Sequence, residues 1–60
     1  MKTIELRSLR NKKVIVFLNS INYIIERDLE TSIINFGKEN IVVVNYNYEL
    51  LIDKINSELN

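Results

Sequence analysis

Apolar and polar residues alternate from Thr3 to Arg7 (Thr-Ile-Glu-Leu-Arg), the period-two pattern of a half-buried strand. Lys13 to Leu18 is a second β-rich run, separated from the first by the polar stretch Ser8-Leu9-Arg10-Asn11-Lys12. The two runs predict a hairpin, although no Asn-Gly or Asp-Gly pair sets its turn type. Asn19-Ser20 then suits a turn or a helix N-cap. Ile41-Val42-Val43-Val44 is the most continuous β-branched run and predicts a strand packed between neighbours. Past Asn45-Tyr46-Asn47, the residues Tyr48, Leu51, Ile52, Ile55 and Leu59 recur at helical spacing. They predict a helix over 47–59, with Asn47 or Asn45 as its cap and Glu49 suited to its N-terminal dipole. Leu50 falls off this stripe.

Residues 21–36 admit two readings. As a helix, Ile21, Ile24, Ile25, Leu29, Ile33 and Phe36 share one face, with Ser20 before it and Gly37 after. As two strands, 21–27 and 31–36 flank an Asp28-Leu29-Glu30 turn. The β-branched residues favour strands, because Ile and Thr lose rotamer freedom in a helix. The apolar Leu29 and the lack of glycine weigh against the turn. The fold expected is α+β: a small curved antiparallel sheet of four or five strands followed by one C-terminal helix, in a single domain over 1–60. The alternative is β-β-α-β-α, with a helix at about 21–36.

The layout resembles the small flagellar protein family called FlbD or SwrD. The likeness is carried by Ile4–Leu9 and the turn Asn11-Lys12-Lys13, by Leu18-Asn19, and by Tyr23-Ile24-Ile25-Glu26. It continues through Thr31-Ser32-Ile33, Gly37-Lys38, Val42–Val44 and Lys54-Ile55. Lys12 stands where that pattern has its turn glycine, and Leu29-Glu30-Thr31 replaces its Pro-Asp-Thr turn. The resemblance implies β-hairpins ahead of a short helix and favours strands for 21–36. The strand plan from Ile21 to the C-terminal helix also resembles part of the longer LytTR-type DNA-binding domains, a likeness of fold that does not carry function.

A chain of 60 residues buries only about 60% of the surface its unfolded form exposes. Folding gain and ordering entropy nearly cancel at this size. The sequence has no Cys and no His, which removes disulfides and the usual zinc ligand sets. Self-association is the remaining way to add buried surface. Eight basic and eight acidic side chains give a formal net charge of zero, which argues against a strongly basic nucleic-acid or membrane module. The first residues lack the apolar core of a secretory signal, and no window is long and apolar enough for a membrane-spanning helix. The expected location is cytoplasmic, without membrane insertion.

Candidate chemistry is sparse. Without His or Cys the commonest general base and the strongest nucleophile are missing, and no serine sits in a nucleophile-elbow pattern. Glu26, Asp28 and Glu30 offer oxygen ligands, but not at EF-hand spacing, and read as a solvated turn. The chain therefore reads as non-enzymatic and without cofactors. Arg7, Arg10, Lys12 and Lys13 are the candidate contacts to nucleic-acid phosphates, with Tyr23, Tyr46 and Tyr48 able to stack on bases if exposed. Large aliphatics outnumber what one small sheet and one helix can hide. Phe17, Ile24, Ile34, Val43, Tyr48 and Leu50 are the candidate oligomer interface. The function expected is a small homo-oligomeric adaptor or regulatory protein acting through protein–protein contacts. The alternative is a DNA- or RNA-binding regulatory module using the basic hairpin over 7–13.

Overall fold

The alternating N-terminal stretch forms β1, Thr3–Arg7, with Ile4 and Leu6 buried and Thr3, Glu5 and Arg7 outside. The structure is a computed structural model that describes residues 2–60, so residue 1 of the expected domain lies outside the described residues. β2, Lys13–Phe17, pairs antiparallel with β1 from Thr3↔Phe17 to Arg7↔Lys13. Their turn closes where the Ser8 amide donates to the Lys12 carbonyl at 2.9 Å and the Asn11 amide to the Ser8 carbonyl at 2.8 Å. Asn11 takes the left-handed conformation, with φ of 60°. Asparagine tolerates that region better than most residues, so the turn forms without glycine.

A short 3-10 turn, Leu18–Ser20, leads to β3, Tyr23–Glu26, and β4, Ser32–Asn35. The alternative helix over 21–36 does not form. Adjacent isoleucines instead meet across the hairpin as Ile24↔Ile34 and Ile25↔Ile33, where β-branched side chains pack well. Asp28 supplies what the missing glycine did not. Its Oδ1 accepts from the Glu30 and Thr31 amides, each at 2.9 Å, and the Arg27 and Asp28 amides donate to the Thr31 carbonyl. Leu29 is left at the tip, 81% exposed.

β5, Ile41–Val44, pairs antiparallel with β4 from Ser32↔Val44 to Asn35↔Ile41. The turn between them needs φ of 109° at Gly37, a value that L residues rarely adopt, and 53° at Lys38. Strand order is β1-β2 in one sheet and β3-β4-β5 in the other. A bridge between Ser8 and Val44, beside an Asn45 amide donating to the Arg7 carbonyl at 2.7 Å, joins them. The result is α+β: curved antiparallel sheets followed by a C-terminal helix.

That helix, α1, spans Tyr48–Leu59. Asn47 caps it by accepting from the Leu50 amide at 3.1 Å, while its Nδ2 donates to the Leu29 carbonyl at 2.8 Å. One side chain thus fixes the helix start against the β3–β4 turn. At the other end, Lys2 Nζ donates to the Glu58 carbonyl at 2.6 Å, placing a cation where the helix dipole favours one. Leu51 and Ile55 project into a core of Ile4, Leu6, Val16, Leu18, Ile34 and Val44.

Three polar side chains are buried with these: Thr31, Ser32 and Asn35. The Ser32 hydroxyl donates to the Tyr46 carbonyl at 2.9 Å. Asn35 accepts from the Gly37 amide at 2.7 Å and from Asn22 Nδ2 at 3.3 Å, and donates to the Lys38 carbonyl at 3.2 Å. Among the described residues no buried side-chain polar atom lacks a partner, as stable cores require.

Leu51→Ala should cost about 2–5 kcal/mol by leaving a cavity, whereas Leu50→Ala, at an exposed position, should stay within about 0.5 kcal/mol. Asn35→Ala should cost about 1–3 kcal/mol, because it removes the part-buried hydrogen bonds to the Gly37 amide and the Lys38 carbonyl. Urea denaturation at one fixed protein concentration checks all three. Acid should weaken the β3–β4 turn. The Glu30 amide, then hydrogen bonding from Thr31, holds the Asp28 carboxyl below the usual aspartate range, with Arg27 adding a smaller effect. A carboxylate whose folded pKa is depressed contributes stability above its unfolded value and loses it as pH falls through the folded one. Thermal melts at about pH 7 and about pH 3 should therefore differ less for Asp28→Asn than for the native chain.

Candidate interaction surface

Strand register sorts the side chains of β3, β4 and β5 onto two faces, because successive residues point to opposite sides. Ile24, Ile34, Val42 and Val44 share the face toward the core, with Ser32 among them. The opposite face carries two rows across the strands. One is Tyr23, Asn35 and Ile41; the other is Ile25, Ile33 and Val43. Asn35 is the polar member, and it is buried and fully engaged. Tyr23 is 48% exposed, Ile25 47% and Ile41 55%, while Ile33 and Val43 are half-buried. The outer face of this sheet is therefore apolar. The outer face of β1 and β2 differs: Ile15 and Phe17 are exposed there beside Thr3, Glu5, Arg7 and Lys13.

A second feature, of mixed polar and apolar lining, lies where the β3–β4 turn approaches the start of α1. Leu29, Glu30, Asn45, Tyr46, Asn47 and Leu50 line an open groove of about 410 Å³. The Asn47–Leu29 hydrogen bond spans the two segments that form it. Leu50 is 59% exposed, off the buried stripe of the helix and beside Leu29. Asp28 lies at the same turn in a 3.5 Å ion pair with Arg27, solvent-exposed and so worth little to stability.

The basic residues gather at the β1–β2 tip. Arg7, Arg10, Lys12 and Lys13 are all exposed. Arg7 Nη1 donates to the Asn11 carbonyl at 3.1 Å, so this guanidinium is partly committed to its own turn. The tyrosines lie elsewhere: Tyr23 on β3, Tyr46 in the β5–α1 connection and Tyr48 at the helix start.

The residues expected at an oligomer interface separate in the structure. Val43 lies on the apolar outer face, Phe17 outside β2, and Leu50 and Tyr48 at the helix start. Ile24 is half-buried against the core. Ile34 is fully buried inside the chain, 0% exposed, and has no surface to offer a second copy. Sequence reasoning passed over Ile25, Ile41 and Leu29 as surface residues, and considered Tyr23 only for stacking on bases. The doublets Ile24-Ile25 and Ile33-Ile34 carried the signal, since adjacent isoleucines in a strand must occupy both faces. Among the described residues no group of three or more acidic side chains is placed to hold a metal ion, and no helix is long and apolar enough to cross a membrane. Compared with known proteins, the chain matches no family model, no curated protein and no solved structure.

Proposed function

We propose that this chain is a non-enzymatic adaptor or regulatory module that acts as a homo-oligomer through protein–protein contacts. The apolar outer face of the β3-β4-β5 sheet carries this reading, with Tyr23, Ile25 and Ile41 each about half exposed on it. Exposed apolar residues grouped on one face mark interaction surfaces, whereas scattered single ones do not. The zero formal net charge removes the self-repulsion that keeps many small proteins apart. A chain of this length also gains most from surface buried between copies. Light scattering over a concentration series should give a mass above that of one chain, falling on dilution. A single-chain mass up to about 100 μM would overturn the reading, since it would put any self-affinity weaker than about −5 kcal/mol.

The basic β1–β2 tip supports a second reading, a DNA- or RNA-binding regulatory module. Arg7, Arg10, Lys12 and Lys13 are clustered and exposed there, as phosphate contacts need to be. This reading expects salt-sensitive binding to a duplex or single strand that weakens when Arg10, Lys12 and Lys13 are replaced by Gln. Absence of binding at about 50 mM salt would remove it.

A further inference from the structure

The free edge of β3 has a hydrogen-bonding pattern that suits a second copy of itself. In an antiparallel pair, alternate residues turn their N–H and C=O groups toward the partner and the others turn away. The Arg27 amide donates to the Thr31 carbonyl, so Arg27, Ile25 and Tyr23 face β4. Ile24 and Glu26 then turn their backbone groups outward. β3 is the terminal strand of its sheet, and among the described residues no strand pairs with this outer edge.

We propose that β3 pairs antiparallel with β3 of a second copy about a two-fold axis through Ile24, joining the two three-stranded sheets into one of six strands. The proposal rests on the self-association reading above and gives it a contact and a register. In this register Ile24 faces Ile24, each N–H donating to the other's carbonyl. Tyr23 faces Ile25 of the second copy on the outer face, and Ile25 faces its Tyr23. Asn22 precedes β3 and stays outside the new ladder, because its amide donates to the Asn35 carbonyl at 2.7 Å. From Tyr23 to Ile25 apolar residues meet only apolar ones. Tyrosine opposite a β-branched residue is a favourable cross-strand pair. The apolar row Val43, Ile33 and Ile25 of one copy then continues across the joint into Tyr23 of the other, where Asn35 ends it.

Register alone does not choose between edges, because β1, β2 and β5 are also terminal in their sheets. The β1 and β5 edges meet each other at the Ser8–Val44 bridge and the Asn45–Arg7 hydrogen bond, which leaves β2 and β3. Their protection chooses between these two. Natural edges are blunted by lysine, proline or bulges. β2 begins with Lys13, after Lys12, and its neighbour β1 sets Arg7 and Glu5 beside Lys13 and Ile15 on the same face. β3 has no lysine or proline, and its one charge, Glu26, sits at the end. Neutral net charge leaves no long-range repulsion between copies.

A charge exchange tests the register. Tyr23 and Ile25 are both about half exposed, so substituting them spares the core, and far-UV circular dichroism of each variant confirms the fold. Tyr23→Lys and Ile25→Glu, each acting twice across the two-fold, should weaken self-association at least about tenfold. The double variant sets the new lysine opposite the new glutamate of the other copy at both positions. Light scattering should show association restored to near the native level. Oligomers that persist unchanged in both single variants would overturn the β3 contact while leaving self-association standing. Weakening without rescue in the double variant would overturn the register. In a pairing centred on Ile25, for example, the two glutamates would face each other and no rescue would follow. A native chain that stays single would overturn both this contact and the function on which it rests.

Discussion

The fold depends on burying a central strand that is not wholly apolar. β4 lies between β3 and β5, and Ser32, Ile34 and Asn35 on it are all buried. Each of its polar side chains is assigned to backbone that would otherwise lack a partner. Ser32 binds the Tyr46 carbonyl and fixes where the chain leaves β5 for the helix. Asn35 binds both Gly37 and Lys38 and so holds the turn that sends the chain into β5, while Asn22 reaches it from the start of β3. An alanine at either position would leave these connections without their side-chain tie. A buried hydrogen bond is worth little net when made, but leaving its partner unsatisfied is costly. That asymmetry makes these two side chains determinants of strand order and not only of stability.

Around that strand the structure is economical. The two sheets share a single bridge at Ser8 and Val44, and α1 packs Leu51 and Ile55 into the core that both sheets supply. The helix is held at both ends by residues distant in sequence, Leu29 through Asn47 and Lys2 at Glu58. Short isolated helices are marginal in water, so packing and these end contacts carry a 12-residue helix. Among the described residues no tie of this kind closes the outer side of the β3-β4-β5 sheet.

Much of this was readable from residue order. Alternation placed β1 and the β-branched run placed β5 with their observed bounds, and the apolar stripe placed α1 to within one residue at its start, with Asn47 and not Asn45 as the cap. Residues 21–36 were harder because paired isoleucines satisfy a helical face as readily as two strands. Asp28 decides the turn by accepting two amides, which no residue count reveals. Surface placement was less readable still. Ile34 and Ile33 are neighbours of the same type, yet one is wholly buried and the other half-buried. Which of them faces the core depends on register, and register is set by turns whose dihedrals (Gly37 and Lys38 here) lie outside any hydrophobic pattern.

The isoleucine doublets connect the fold to the proposed function. One member of each doublet is enough to build the core face, since Ile24 and Ile34 already meet across β3 and β4. The second members, Ile25 and Ile33, add little to that core and place apolar surface outward. The β1-β2 sheet mixes the two kinds in the equivalent places: Glu5, Arg7 and Lys13 lie outward beside the exposed Ile15 and Phe17. An antiparallel sheet with one solvated face has a pattern of polar residues outward. The β3-β4-β5 sheet departs from it on the same side of the molecule where its edge carries neither lysine nor proline. An apolar face and an unguarded edge each make aggregation a hazard in isolation. A two-fold pairing closes this edge and joins the two apolar faces into one continuous surface, and its symmetry stops growth through that edge.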